Sequence, residues 1–181
     1  MKRLTLLRHA KSSWDDPVTR DFDRPLNKRG RKAAETMGRF AGRDGLDVDY
    51  ILASPAVRVT ETLDHFQPAA GMGDMEPHFD RRIYLASSAT LIDCLHDLPD
   101  SAEHVLMCGH NPGMEDLILD LVPDDAASPL RQSVEEKFPT AALATIAFDT
   151  DSWRQLGKAP ATLTAFVRPR DLDTALGPSD D

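Results

Sequence analysis

Two histidines and two arginines in this chain stand where short apolar runs end. Arg8 and His9 close the run Leu4-Thr5-Leu6-Leu7, and His110 follows His104-Val105-Leu106-Met107-Cys108-Gly109. Arg58 comes four residues after Ser54, which ends Tyr50-Ile51-Leu52-Ala53. An arginine fork never loses its charge and matches phosphoryl oxygens two at a time. An imidazole, largely neutral near pH 7, can attack phosphorus and carry the group covalently, splitting one displacement into two easier ones. Phosphoryl transfer asks a protein chiefly to position groups and to stabilise charge on the transferred oxygens. Arg8 and Arg58 therefore read as a phosphate clamp, with His9 and His110 as candidates for the nucleophile. Residue type alone does not choose between the two histidines. Whichever attacks, its second ring nitrogen needs an acceptor to fix the tautomer, and a backbone carbonyl is expected.

These side chains must be held by strand ends. Strands are predicted near residues 2–8, 49–54, 103–109, 140–148 and 161–167, with a weaker extended segment near 78–84. Helices are predicted near 28–43, 55–66, 88–98 and 113–121, where apolar residues such as Leu91, Ile92, Leu95 and Leu98 recur at helical spacing. Ser54 is expected to cap the second helix, with Pro55 at its first position. Strands alternating with helices imply right-handed crossovers and a mostly parallel central sheet with helices on both faces, a three-layer α/β fold. The last two strands, joined through Asp149 to Pro160 without a helix, are expected to be antiparallel. Gln67 to Pro77 and Val122 to Pro139 read as irregular loops. Residues 1–170 are expected to form a single domain, and 171–181 a loose polar tail. In open α/β sheets ligands lie at the carboxyl ends of the strands, where all three motifs fall.

Arg8-His9-Ala10, Ser54-Pro55-Ala56-Val57-Arg58 and Gly109-His110-Asn111 resemble the histidine phosphatase superfamily, the phosphoglycerate-mutase-like fold. Asp23-Arg24-Pro25-Leu26-Asn27-Lys28-Arg29-Gly30 resembles the loop before that family's first helix. The compact length and Phe138-Pro139-Thr140-Ala141-Ala142-Leu143 bring the chain closest to the SixA-type phosphohistidine phosphatases. The resemblance runs over roughly residues 1 to 168, with the motifs in family order. It implies that His9 is the nucleophile, that His110 is the second histidine donating to the phosphoryl group, and that Arg8 and Arg58 bind phosphate.

One departure from the family pattern bears on the substrate. Many members carry a Glu or Asp after a mid-chain strand as general acid toward the leaving oxygen. The matching stretch here, Arg81-Arg82-Ile83-Tyr84-Leu85-Ala86-Ser87, has no carboxylate, and Asp80 lies just before it. An alkoxide leaves poorly without a proton donor. The imidazole of a phosphohistidine can leave neutral when its far nitrogen already holds a proton. The missing acid thus favours a phosphorylated protein as partner, with the P–N bond as the one broken. Two other readings stand beside this one. The first is a small-molecule phosphomonoesterase or mutase of the same fold, with Asp80 or Tyr84 donating the proton. The second is a phosphate-binding regulatory module with little turnover.

Around the core motifs, Lys11 reads either as added charge over the site or as a surface side chain. Ser12 and Asn111 are candidate neutral donors to phosphate, and Trp14 a wall of the pocket mouth or simple packing. Arg20, Arg24, Arg29, Arg31 and Lys32 read most simply as a solvated face. His65, His78, His96 and His104 lack metal-type spacing, so neither a metal nor another cofactor is expected. A net charge of −9 argues against nucleic acid or an anionic membrane as partner. No apolar run approaches the roughly 20 residues of a membrane span, and Leu4–Leu7 is too short for a signal peptide. Cys94 and Cys108 read as core thiols. The expected location is cytoplasmic, and the oligomeric state stays open.

Overall fold

The computed structural model describes residues 1–17, 19–125 and 128–177. Its centre is a six-stranded sheet in the order β3-β2-β4-β1-β5-β6. The strands are β1 (Lys2–Arg8), β2 (Tyr50–Ala53), β3 (His78–Phe79), β4 (His104–Gly109), β5 (Leu143–Phe148) and β6 (Ala161–Val167). β1, β2, β3 and β4 run parallel, whereas β5 is antiparallel to β1 and β6 to β5. The central strand β4 is buried at every residue, as expected of a strand covered on both faces.

Helices α1 (Lys28–Arg43) and α2 (Val57–Ala69) pack on one face, while α3 (Ser88–His96), α4 (Gly113–Leu121) and α5 (Pro129–Glu136) pack on the other. The period-2 alternation of a strand divides the core between them. From β1, Leu4 and Leu6 enter the cluster with Leu91, Leu117 and Val134, and Leu7 enters the one with Met37, Leu63 and Phe66. The result is the three-layer, mostly parallel α/β sheet with antiparallel end strands that the alternation of elements predicts.

Several local expectations are corrected. α2 starts at Val57, because Ser54 and Pro55 stay outside it and Ala56 is the extended residue that precedes the first turn. The segment near 78–84 forms only two strand residues and then a single 3-10 turn, Arg81–Ile83. The span Val122 to Pro139 contains α5. Ser128 caps this helix by accepting from the Arg131 N–H, and Pro129 occupies its first turn. Arg131 is buried there because it donates to the carbonyls of Leu119 and Val122 at the end of α4. A charged residue used as a cap hid this helix from hydrophobic periodicity.

The polar tail is not loose over its described part. A short helix α6 (Pro169–Leu172) and the turn Thr174–Leu176 return the chain to α1. Leu176 is buried there, and Arg29 donates to the Gly177 carbonyl. Asp173 pairs with Lys32 at 3.5 Å. Residues 178–181 of the tail lie outside the described residues.

Candidate active site

Strand register brings the motifs together. Arg8 is the register partner of Gly109, so His9 and His110 emerge side by side, and the His9 N–H donates to the Gly109 carbonyl at 3.0 Å. Ala53 pairs with Cys108, and the Ser54 N–H donates to the Cys108 carbonyl, which adds the β2 end to the same edge. The His9 and His110 ring centroids are 5.3 Å apart, tilted at 56°.

His9 is 8% exposed, and its Nδ1 lies 2.7 Å from the Ala10 carbonyl. A carbonyl only accepts, so Nδ1 carries the proton and Nε2 keeps its lone pair. Burial, against the pull of the Ala10 carbonyl, holds the ring well below the ordinary histidine range, and His110, Arg8 and Arg58 push the same way. A neutral imidazole with a free lone pair is the reactive form of a nucleophile. Its loop is braced, since the Ala10 N–H donates to Thr62 Oγ1, which donates to the Arg58 carbonyl.

Arg58, in the first turn of α2, is 3% exposed. Its Nη1 donates to the Asp21 carbonyl at 2.7 Å, and Nη2 reaches Asp21 Oδ2 at 3.0 Å and His110 Nδ1 at 3.3 Å. Guanidinium only donates, so His110 Nδ1 accepts and Nε2–H donates to Ser54 Oγ at 2.8 Å. Burial next to Arg58 pushes His110 down to about 3. The second histidine is therefore neutral, and its only ring proton points at Ser54.

Arg8 projects from the end of β1, and its Nη1 donates to the Phe138 carbonyl at 3.0 Å. Tyr84 closes one side, its ring edge-on to His110 at 5.4 Å, with its hydroxyl donating to Asp21. Burial opposes ionisation of Asp21, but hydrogen bonds from Tyr84, Arg24 and Arg58 outweigh it and hold the carboxyl down to about 2.

The auxiliary residues divide. Tyr84 belongs to the pocket. Asp80 does not: its carboxylate is held by Arg82, which keeps it below the usual range, and Arg82 also bridges to Asp97. Ser12 accepts from Arg24, and Asn111 spends its amide on the Phe138 carbonyl and the Glu115 N–H. Both brace loops through these contacts. Lys11 turns to a cleft beside the pocket, and Trp14 is exposed and stacked on Arg24. Among the described residues no three of His, Cys, Asp and Glu converge as a metal-binding group.

Asp21 and Ser54 are the residues that sequence reading missed. Asp21 sits 37 residues from Arg58 in a loop without periodicity, so only its neighbour Arg24 in the pre-helix motif pointed to that region. Ser54 was read as a helix cap, and its hydroxyl serves His110 instead. Glu115 was also missed; burial raises its carboxyl, which takes the Phe138 N–H and lies near enough to Arg8 to feel its charge.

The profile of the histidine phosphatase superfamily (branch 1) matches residues 4–83. The protein Rv1276c of Mycobacterium tuberculosis is 32% identical over 167 residues, spanning 91% of this chain and all of its own. SixA from Agrobacterium tumefaciens superposes with a TM-score of 0.78 at 30% identity, covering 93% of this chain and 98% of that one. The chain belongs to the histidine phosphatase superfamily. A protein histidine phosphatase SixA solved with tungstate, at 19% identity and a TM-score of 0.76, shares the fold over 94% of this chain. Superfamily membership and the SixA-like fold support a phosphatase. No helix among the described residues is long and apolar enough to cross a membrane.

Proposed function

We propose that this protein removes phosphate from phosphohistidine on a protein, with His9 as nucleophile and Arg8 and Arg58 clamping the phosphoryl oxygens. The observation that carries the reading is the state of Asp21. Its carboxylate takes hydrogen bonds from Arg58, Arg24 and Tyr84, which keep it ionised, so it holds no proton to give a leaving group. A phosphohistidine whose far nitrogen is protonated needs none. His9 Nε2 attacks phosphorus, the substrate P–N bond breaks, and its electron pair stays on the departing neutral imidazole. Water then attacks the phosphoenzyme, and the P–N bond to His9 breaks with its pair returning to Nε2. The proton lost by the water passes to a phosphoryl oxygen. Arg58 and Arg8 stabilise the charge on the oxygens throughout.

A second reading has one specific observation in its favour. The Glu115 carboxyl, raised by burial and close to Arg8, is a candidate proton donor for a phosphomonoesterase. The deciding experiment is phosphate release from a phosphohistidine protein and from a phosphate monoester, side by side, with chelator present. Preference for the phosphohistidine, abolished in His9→Ala, is expected. Preference for the monoester would overturn the proposal.

A further inference from the structure

Five of the chain's 21 lysines and arginines gather beside the catalytic pocket. Lys11, Arg29, Lys137, Arg168 and Arg170 line one open cleft, although the net charge of the chain is −9. Arg168 is partly neutralised by Asp171 at 2.9 Å, and Arg29 is turned toward the Gly177 carbonyl. Lys137 and Arg170 are exposed and form no ion pair among the described residues. The cleft also has an apolar lining, supplied by Pro139, Pro169 and the buried Leu176.

The cleft and the pocket share a wall. The Phe138 carbonyl receives Arg8 and Asn111, and the Ala141 N–H is held between the carbonyls of Arg8 and His9. Pro139 and Thr140, between those two residues, face the cleft. On the other side Lys11 is two residues from His9, its backbone packed against Gly30 of α1. Cations set together repel one another, and an anion lying among them removes that cost. A row of cations above an apolar lining matches acidic side chains, whose aliphatic stems cover the floor while their carboxylates meet the charges. An extended chain advances about 3.3 Å per residue, so a few residues suffice to lead from one compartment into the other.

We propose that this cleft binds acidic side chains that flank the phosphorylated residue of the protein substrate. The inference rests on the phosphoprotein reading above, yet the cleft can be tested without it. The first probe is fluorescein-labelled hexaglutamate, followed by fluorescence anisotropy at about 50 mM salt, where such contacts are least screened. Wild type is expected to bind, and Lys137→Glu/Arg170→Glu to bind at least about tenfold more weakly with unchanged circular dichroism. Lys137→Gln/Arg170→Gln, which reverses no charge, is expected to fall between them. Absence of binding, or equal binding by all three, would overturn the proposal.

The second probe is a pair of phosphohistidine peptides flanked by Glu or by Lys. The double charge reversal is expected to raise KM about tenfold for the Glu-flanked peptide and to leave kcat for imidazole phosphate unchanged. Equal KM values for the two peptides in wild type would overturn the substrate assignment. Failure of wild type to cleave either peptide would sink the phosphoprotein reading, and with it that assignment, while hexaglutamate binding would still decide whether the cleft takes acidic peptide.

Discussion

Asp21 Oδ2 lies 3.0 Å from Arg58 Nη2, while the backbone carbonyl of the same Asp21 takes Arg58 Nη1 at 2.7 Å. The two contacts do different things. The carbonyl anchors the guanidinium whatever side chain stands at position 21. The carboxylate places a negative charge where a phosphoryl group must approach. Asp21→Asn keeps the anchor and removes the charge, so inhibition by phosphate or vanadate is expected to tighten by about fivefold, about 1 kcal/mol. Unchanged or weaker inhibition would show that the carboxylate orients Arg58 more than it repels the ligand.

His9→Ala is expected to reduce turnover by at least about a thousandfold and to abolish acid-labile phosphate labelling of the protein. His110→Ala removes a neutral neighbour rather than the covalent site. Its turnover is expected to fall about a hundredfold while labelling persists. Labelling of the His9 variant would move the nucleophile to His110.

His104 is held down to about 4, chiefly by burial, and His110 to about 3. Both take up a proton on unfolding below about pH 6.5 and resist it when folded. Their contribution to stability is complete above pH 6.5 and declines as the pH falls toward 4 and then 3, by about 1.4 kcal/mol per pH unit for each group. Urea midpoints measured from pH 7 to 4 should fall accordingly. Titration of His9 or His110 should cost no turnover until well below the ordinary histidine range, because burial holds both rings neutral there.

Gly30 is tolerated in the first turn of α1 because the backbone of Lys11 crosses it. A Cβ there would meet the Lys11 carbonyl oxygen at 2.1 Å, an atom that cannot move without shifting the loop after His9. Gly30→Ala is expected to cost about 2–3 kcal/mol in urea unfolding and to lower activity in the folded protein. A variant with full stability and activity would mean the loop adapts at no cost.

Glu115→Gln preserves an oxygen acceptor for the Phe138 N–H and removes the titratable proton. Cleavage of phosphohistidine is expected to stay within about twofold of wild type, since its leaving group needs no acid. Loss of about a hundredfold would assign Glu115 as the proton donor and favour the monoester reading.

The legible part of the site was the part carried by strand ends. β1, β4 and α1 match their predicted spans, because each shows a local pattern: an uninterrupted apolar run for a buried strand, or apolar residues at helical spacing. Arg8, His9 and His110 follow from that pattern, standing at or just past the end of such a run. α5 was missed because two of its interior contacts belong to Arg131, whose burial depends on carbonyls of another helix. The loop before α1 drew notice for its motif, yet nothing in its residue order says that Asp21 faces Arg58.

By itself the sequence determined the alternation of strands and helices, the placing of Arg8, His9 and His110 at carboxyl ends of strands and of Arg58 at the start of the following helix, and the absence of a carboxylate in Arg81–Ser87. Those properties are local, set by period and residue type. The tertiary structure decided that Arg8 sits level with Gly109, that the Ala10 carbonyl sets the His9 tautomer, and that Asp21 is ionised against Arg58. It also gathered Lys11, Arg29, Lys137, Arg168 and Arg170 into one cleft. Apart from the His9–Ala10 contact, which the turn after β1 makes between neighbouring residues, these relations join segments far apart in the chain, and only the packing of the two helix layers on the sheet brings such groups within hydrogen-bonding and Coulombic range.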